Sequence, residues 1–113
     1  MATATDTPVL DLIGRMTADS LAASDLEDGE FMLVRLAALI AVDAPAASYL
    51  LNIGAASDAG LDVRDVRSVL AAVAPIVGTT KVVSAAGKIT RALGVALELA
   101  ELEAEAEARS IES

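Results

Sequence analysis

The sequence FMLVRLAALIAV, residues 31–42, decides the fold class of this protein. Its apolar side chains cover almost the whole circumference of a helix, which is typical of a central, buried helix. Asp28 or a neighbouring acid is expected to cap the start of this helix. Asp43-Ala44-Pro45 should end it, because the residue before a proline is pushed out of helical geometry. We therefore expect one strongly apolar helix at the centre of the molecule.

Further helices are predicted on both sides of this segment. Pro8 can open a first helix, since its missing N–H costs nothing at the first helical position. Pro45 can open a helix over residues 46–58, and Gly60 then provides the left-handed residue that often ends a helix. Asp62 and Asp65 follow with the spacing of a capping box, so another helix should begin there.

A turn at residues 74–75 and 78–80 is predicted to precede the last and longest helix. Gly87 and Gly94 weaken that helix and indicate that another backbone passes close to it. From Glu98 onwards the chain carries glutamates at i,i+4 spacing, which repel one another. No segment alternates apolar and polar residues over a strand length, so the fold class is all-α.

Length and composition indicate one domain that associates with copies of itself. The 113 residues suffice for a single core. We expect residues 1–6 to be disordered, residues 7–97 to form one helical domain, and residues 98–113 to form an acidic tail that is helical and then frays. Hydrophobic residues make up 55% of the chain, yet Phe31 and Tyr49 are the only aromatics. Such an alanine-rich chain has too much apolar surface for its size, which favours a homo-oligomer.

Charge and residue usage exclude several classes of function. A net charge of −9 disfavours binding to nucleic acid and to anionic membranes. The longest strongly apolar run, residues 36–42, is far too short to cross a bilayer, and residues 1–6 do not resemble a signal peptide. The absence of cysteine fits a cytoplasmic protein. Scattered carboxylates without histidine or cysteine predict no metal site, and no cofactor is expected.

The stretch from Leu33 to Gly94 resembles the carboxymuconolactone decarboxylase family, which includes the alkyl hydroperoxidase D-like proteins. The resemblance rests on the order of an apolar helix, a break, a second helix, then DAGLDVRDVRSVL (residues 58–70) and APIVGTTKVVSAAG (residues 74–87). It covers a little over half of the chain. The family implies a compact helical bundle that assembles into trimers or hexamers.

The residues that carry the family's chemistry are replaced in this chain. The resemblance places the two cysteines of a Cys-x-x-Cys pair at Pro45 and Ser48, the histidine at Asn52, and a supporting glutamate near Leu33. A disulfide relay needs two thiols, and serine cannot change redox state. Histidine is the easiest proton carrier near neutral pH, and asparagine does not replace it. Peroxidase activity of the family's type is therefore excluded by the absence of cysteine.

Asp43, Ser48, Tyr49 and Asn52 are the weak catalytic candidates that remain near this position. We expect Asp43 to be an N-cap of the following helix, and alternatively a general base whose pKa is raised by apolar surroundings. Ser48 and Asn52 are four residues apart and share a helix face. Tyr49 is expected to be a core or interface aromatic whose hydroxyl reaches a partner.

Arg35 is anomalous because it lies within an apolar helix. A buried arginine needs a carboxylate, so we expect it to pair with Asp43 or with an acid of another subunit. Alternatively, Arg35, Asp43 and Tyr49 bind a small carboxylate ligand. Lys88 and Arg91 are interpreted as part of a solvated face that offsets the acidic tail.

Three functions are consistent with these residues. The first is a catalytically silent, non-redox oligomer that binds a small ligand or partner, or is structural. The second is a cofactor-free enzyme acting on a small carbonyl or lactone substrate through Asp43, Arg35 and Tyr49. The third treats the acidic tail as a docking element for a basic partner.

Overall fold

The computed structural model describes residues 7–112, which form five α-helices. In chain order these are α1 (Pro8–Ala23), α2 (Asp28–Ala41), α3 (Ala46–Asp58), α4 (Val63–Val77) and α5 (Thr79–Glu112). No strand occurs within this range, so the all-α prediction is confirmed. The disorder predicted for residues 1–6 concerns a segment outside the described residues.

Short-range hydrogen bonds start two of the helices as the sequence predicts. In front of α4, the Asp65 N–H donates to Asp62 Oδ1 at 3.1 Å, and the Asp62 N–H donates to Asp65 Oδ2 at 2.9 Å. In front of α2, the Glu27 N–H donates to Glu30 Oε1 at 3.1 Å. The acid at the start of α2 is thus Glu27, the residue before Asp28. Both arrangements satisfy N–H groups that a helix start leaves unpaired.

Two glycines with positive φ separate the helices around α4. Gly60 has φ +87° and Gly78 has φ +91°, in the region that L-residues with a side chain rarely adopt. The predicted turn at Ala74-Pro75 is wrong, because α4 runs through Pro75 to Val77. Val73 and Val77 pack against the core, and this packing keeps the last turn helical although Pro75 lacks an N–H.

Helices α2 to α5 form the body of the molecule. Helix α3 packs along α5, α2 packs against α4 and α3, and α4 also packs against α5. The central core cluster joins α2, the link after it, α3 and α5, and its members are Ile40, Ala44, Tyr49, Ala85, Ile89 and Ala92. Three of these six side chains are alanines, so α3 and α5 approach closely but bury little apolar area per residue.

A large part of the apolar surface stays exposed in the single chain. Helix α2 buries Phe31, Met32 and Ile40, but Val34 is 56% exposed, so the expectation of a helix buried on nearly every side is wrong for the isolated chain. Helix α1 has no buried residue at all. Its side chains Val9, Leu10, Leu12, Ile13, Met16 and Leu21 are all exposed.

Helix α5 is much longer than the body that it packs against. Its 34 residues correspond to about 51 Å at 1.5 Å per residue, close to the 54 Å long axis of the molecule. The helix continues without a break from Leu97 into the acidic tail and reaches Glu112. The close backbone approach predicted at Gly87 and Gly94 is wrong within the chain, since a Cβ at either position would meet nothing within 4 Å. No helix of residues 7–112 is both long and apolar enough to cross a membrane.

Candidate functional site

The link between α2 and α3 places Asp43 against α5 instead of at the start of α3. Asp43 has a positive φ of +54°, which turns its side chain away from α3, and Pro45 occupies the N-cap position. The carboxylate oxygen Oδ1 accepts hydrogen bonds from Ser84 Oγ at 2.8 Å and from Lys88 Nζ at 2.9 Å. The prediction that Asp43 caps α3 is therefore wrong.

The same ion pair is inconsistent with the alternative that Asp43 is a general base with a raised pKa. The hydrogen bond from Lys88 is the main cause that lowers the pKa of Asp43 below its ordinary value of 3.8, and the Ser84 hydrogen bond lowers it further. The side chain is 45% exposed, so burial does not keep the carboxyl neutral. Asp43 is a structural anion that ties the α2–α3 link to α5, together with Lys81 Nζ, which donates to the Ala41 carbonyl at 3.0 Å. The interpretation of Lys88 as a purely solvated cation is wrong.

This ion pair makes the stability of the protein depend on pH in the acidic range. Because the folded-state pKa of Asp43 is lowered, the charged form is favoured by folding, and its contribution is present above the unfolded-state pKa. The contribution is lost as the pH falls through the folded-state pKa. Asp43→Asn should therefore be less stable than wild type near neutral pH, and the difference should shrink towards acid pH.

Urea unfolding between neutral pH and the acid limit of folding measures this difference. Asp19→Asn is the matched control, because Asp19 is exposed and its side chain makes no hydrogen bond or ion pair with any described residue. A destabilisation by Asp43→Asn that stays constant over the whole pH range would contradict the assigned ion pair.

Arg35 pairs with an amide and an aromatic ring instead of with Asp43. Its Nε donates to Asn52 Oδ1 at 3.0 Å, and its guanidinium carbon lies 5.5 Å from the centre of the Phe31 ring. Asn52 Nδ2 in turn donates to the Ser48 carbonyl at 2.7 Å. The predicted Arg35–Asp43 pair is therefore wrong, because Asp43 faces α5 while Arg35 faces α3. Among the side chains of residues 7–110 the ion pair is that of Lys88 with Asp43.

Tyr49 belongs to the core, as predicted, but its hydroxyl is not hydrogen-bonded within the described residues. The side chain is 3% exposed, and its buried hydroxyl oxygen has no partner there. Burial raises the pKa of Tyr49, and the negative charge of Asp43 raises it further. The tyrosine is thus held neutral, and the expected hydrogen bond of its hydroxyl is absent from the described residues.

An apolar cavity lies beside Tyr49, between α2, α3, α4 and α5. Its volume is about 240 Å³, and its wall is overwhelmingly apolar. Besides Tyr49, the polar residues that line it are Asn52, Ser57 and Asp62. The apolar residues of its wall include Met32, Leu36, Ile53, Val66, Ile89 and Leu93.

Some of the candidate residues line this cavity, and others line a separate open groove. Arg35, Ser48 and Asn52 line an open groove between α1 and the pair α2–α3, whereas Tyr49 and Asn52 line the cavity. Asp43 lines neither of them. Asn52 is therefore the one candidate at both places, and Arg35, Asp43 and Tyr49 do not surround a common space.

Sequence reasoning missed the part of α5 that holds the α2–α3 link. Lys81, Ser84 and Lys88 recur at spacings of three and four residues, so they share a helix face, and this spacing was a usable signal. Which acid or carbonyl they reach depends on the path of a distant link, which spacing within one helix does not reveal.

No family model, curated protein or solved structure matches the chain. The likeness to the carboxymuconolactone decarboxylase family therefore stays a prediction from the sequence. The positions concerned, Pro45, Ser48 and Asn52, lie at the start and in the first two turns of α3.

Proposed function

We propose that this protein is a homo-oligomeric, non-redox binding protein of the carboxymuconolactone decarboxylase-like type, which holds a small, mainly apolar molecule in the apolar cavity beside Tyr49. The observation that carries the proposal is the apolar cavity of about 240 Å³ beside Tyr49. Cavities of about 150 Å³ with apolar walls bind benzene in other proteins. The space here suits a single ring with a short substituent.

The polar residues of the wall suggest how such a molecule is oriented. Binding sites of this kind combine a mostly apolar wall with a few polar groups that fix the ligand. Asn52 and Ser57 offer an amide and a hydroxyl. The Asn52 amide is itself held by Arg35 and by the Ser48 carbonyl, so its orientation is set before a ligand arrives. The preferred ligand is an apolar molecule with one hydrogen-bonding group.

The exposed apolar side chains support self-association. An extended apolar surface on a single chain marks a site of association. Helix α1 exposes Val9 to 67% and Met16 to 61%, although an amphipathic helix normally buries such residues. Leu51 on α3 is 70% exposed as well. A trimer or hexamer, as the family resemblance implies, would cover these side chains.

No observation favours the alternative of a cofactor-free enzyme. That mechanism needs Arg35, Asp43 and Tyr49 around one substrate, whereas these residues do not line a common cavity. The Asp43 carboxylate is occupied by Lys88 and Ser84, and its pKa is lowered, which weakens it as a base.

Native mass spectrometry of the protein purified gently from its own host tests the proposal. The expected result is a trimer or hexamer that carries a defined additional mass. An oligomer without added mass would contradict the binding role and leave a structural role. A monomer at micromolar concentration would contradict the self-association.

Filling the cavity should weaken the binding of a small apolar molecule. Ala56 lines the cavity on α3, so Ala56→Leu places a branched side chain into the ligand space. Overpacking of a well-filled site costs roughly 1–3 kcal/mol, and we therefore expect binding of benzene, used as a probe, to weaken by about tenfold or more. Benzene binding is followed by NMR chemical shifts of the protein.

Ala47→Leu is the matched control, because Ala47 does not line the cavity although it lies on the same helix. It should bind benzene as wild type does. Equal binding by both variants would show that the ligand does not enter this cavity.

A further inference from the structure

The acidic tail of α5 (residues 98–112) carries an apolar seam that its own chain does not cover. Side chains 97–110 are all exposed, since the helix has left the bundle there. Val95, Leu99, Leu102 and Ala106 follow one another at spacings of four, three and four residues, and these spacings place them along one side of a helix. Leu99 is 52% exposed and Leu102 is 58% exposed.

Glutamates border this seam on both sides. At 100° per residue, Glu98 and Glu105 lie along one edge of the seam, and Glu103 and Glu107 lie towards the other. Two such tails that packed against each other would bring like charges together, which is destabilising. Arg109 also lies at the edge of the seam, but the four glutamates outnumber it, so a basic surface complements the seam.

Helix α4 offers one such surface on the same chain. Arg64 and Arg67 are one turn apart and exposed, next to Val63, which is 63% exposed, and Ala71. We call these four residues the arginine face. Neither guanidinium makes a hydrogen bond or an ion pair with any described residue.

The other cations on the body of the molecule are engaged or isolated. Lys88 pairs with Asp43, Lys81 donates to the Ala41 carbonyl, and Arg35 donates to Asn52. Within the described part of the chain, the arginine face is thus the place where two neighbouring cations both lack a hydrogen bond and an ion pair.

We propose that the acidic tail of one copy docks on the arginine face of α4 in a second copy. The seam covers Val63 and Ala71, while the bordering glutamates pair with Arg64 and Arg67. The contact joins two different surfaces, so each copy both gives a tail and receives one, and such head-to-tail contacts close into a ring when the rotation between copies closes. The inference rests on the self-association in the proposed function and names the surfaces that produce it.

Reciprocal charge reversal in the full-length protein tests this contact. One variant carries Arg64→Glu and Arg67→Glu, and the other carries Glu98→Arg and Glu105→Arg. Like charges across an interface cost several kcal/mol, so sedimentation velocity should show self-association at least about tenfold weaker for each variant alone. In an equimolar mixture a tail of either variant finds a face of opposite charge on the other variant, so the mixture should associate more strongly than either variant alone.

Charge changes elsewhere serve as controls. Arg91→Glu, outside α1, shifts the net charge in the same direction as the first variant, and Asp25→Arg, also outside α1, shifts it in the same direction as the second. Both control variants should associate as wild type does. Circular dichroism verifies that every variant keeps the helical content of the wild type.

Three outcomes overturn the proposal, and they are distinguishable from a failure of the proposed function. Wild-type association in both reversed variants would mean that copies assemble through other surfaces, such as α1, and the oligomer itself would stand. If each variant associates weakly and mixing them does not strengthen the association, the effect comes from the changed net charge and not from this contact. A monomeric wild type would overturn both the contact and the oligomer.

The absence of cysteine permits a direct check of the same contact. Because the natural chain has no thiol, Ala71→Cys and Leu102→Cys, introduced together, supply the only two. Mild oxidation should link separate copies through a disulfide between position 71 of one copy and position 102 of the other, identified by peptide mass spectrometry. Disulfides formed only between two positions 102, or none at all, would contradict the proposed contact.

Discussion

Replacing Ile40 by alanine should destabilise the protein by about 2–5 kcal/mol, the usual range for removing a large aliphatic side chain from a core. Ile40 is the fully buried large side chain among the described residues, with 0% exposure. It lies in the cluster that joins α2 to α3 and α5, and two of its neighbours there are the alanines Ala44 and Ala85. Small neighbours cannot expand into the space that the isoleucine leaves, so the cavity penalty should be high.

Ile76→Ala provides the matched control, because the same atoms are removed at a position that is 86% exposed. Exposed substitutions usually change stability by within about ±0.5 kcal/mol. Urea unfolding at one fixed protein concentration measures both variants, since the stability of an oligomer depends on concentration. A similar loss from the two substitutions would contradict the position assigned to Ile40.

Replacing Tyr49 by phenylalanine should stabilise the protein, which is unusual for a core substitution. The hydroxyl oxygen of Tyr49 is buried and has no hydrogen-bond partner in the described residues. A buried polar group left unpaired costs about 1–3 kcal/mol. Phenylalanine keeps the ring and its packing against the core while removing this cost. We therefore expect an increase of roughly 1 kcal/mol in the free energy of unfolding.

Tyr49→Leu separates the contribution of the hydroxyl from that of the ring. This variant also lacks the hydroxyl but changes the shape of the side chain, so lost packing should make it less stable than Tyr49→Phe. Chemical unfolding of ligand-free protein compares the three proteins. A loss of stability in Tyr49→Phe would show that the hydroxyl has a partner in the ligand-free protein, such as a group on another copy.

The helix boundaries were predictable where a boundary depends on neighbouring residues alone. Gly60 follows the end of α3 with a positive φ, and Asp62 and Asp65 cap α4 through hydrogen bonds to each other. Pro8 opens α1. These signals span three or four residues, so no tertiary contact is needed to interpret them. Pro75 did not follow its local signal, because core packing of Val73 and Val77 outweighs one missing hydrogen bond.

The candidate site was less predictable, because its contacts join distant parts of the chain. Arg35 and Asp43 are both on or next to α2, and the sequence suggests that they pair. In the structure Asp43 reaches Lys88, 45 residues away, and Arg35 reaches Asn52, 17 residues away. The positive φ of Asp43 turns its carboxylate towards α5, and no pattern in the sequence predicts that conformation.

The sequence by itself determined the all-helical fold class, the acidic character and the exclusion of thiol chemistry, because these depend on composition and on helical periodicity. Only the tertiary structure decided that Asp43 is an anchor for α5, that Arg35 orients Asn52, and that a cavity lies beside an unpaired tyrosine hydroxyl in the described part of the chain. Each of these depends on how helices distant in sequence are packed and rotated. That arrangement is set by the sum of many small contacts, and no single motif encodes it.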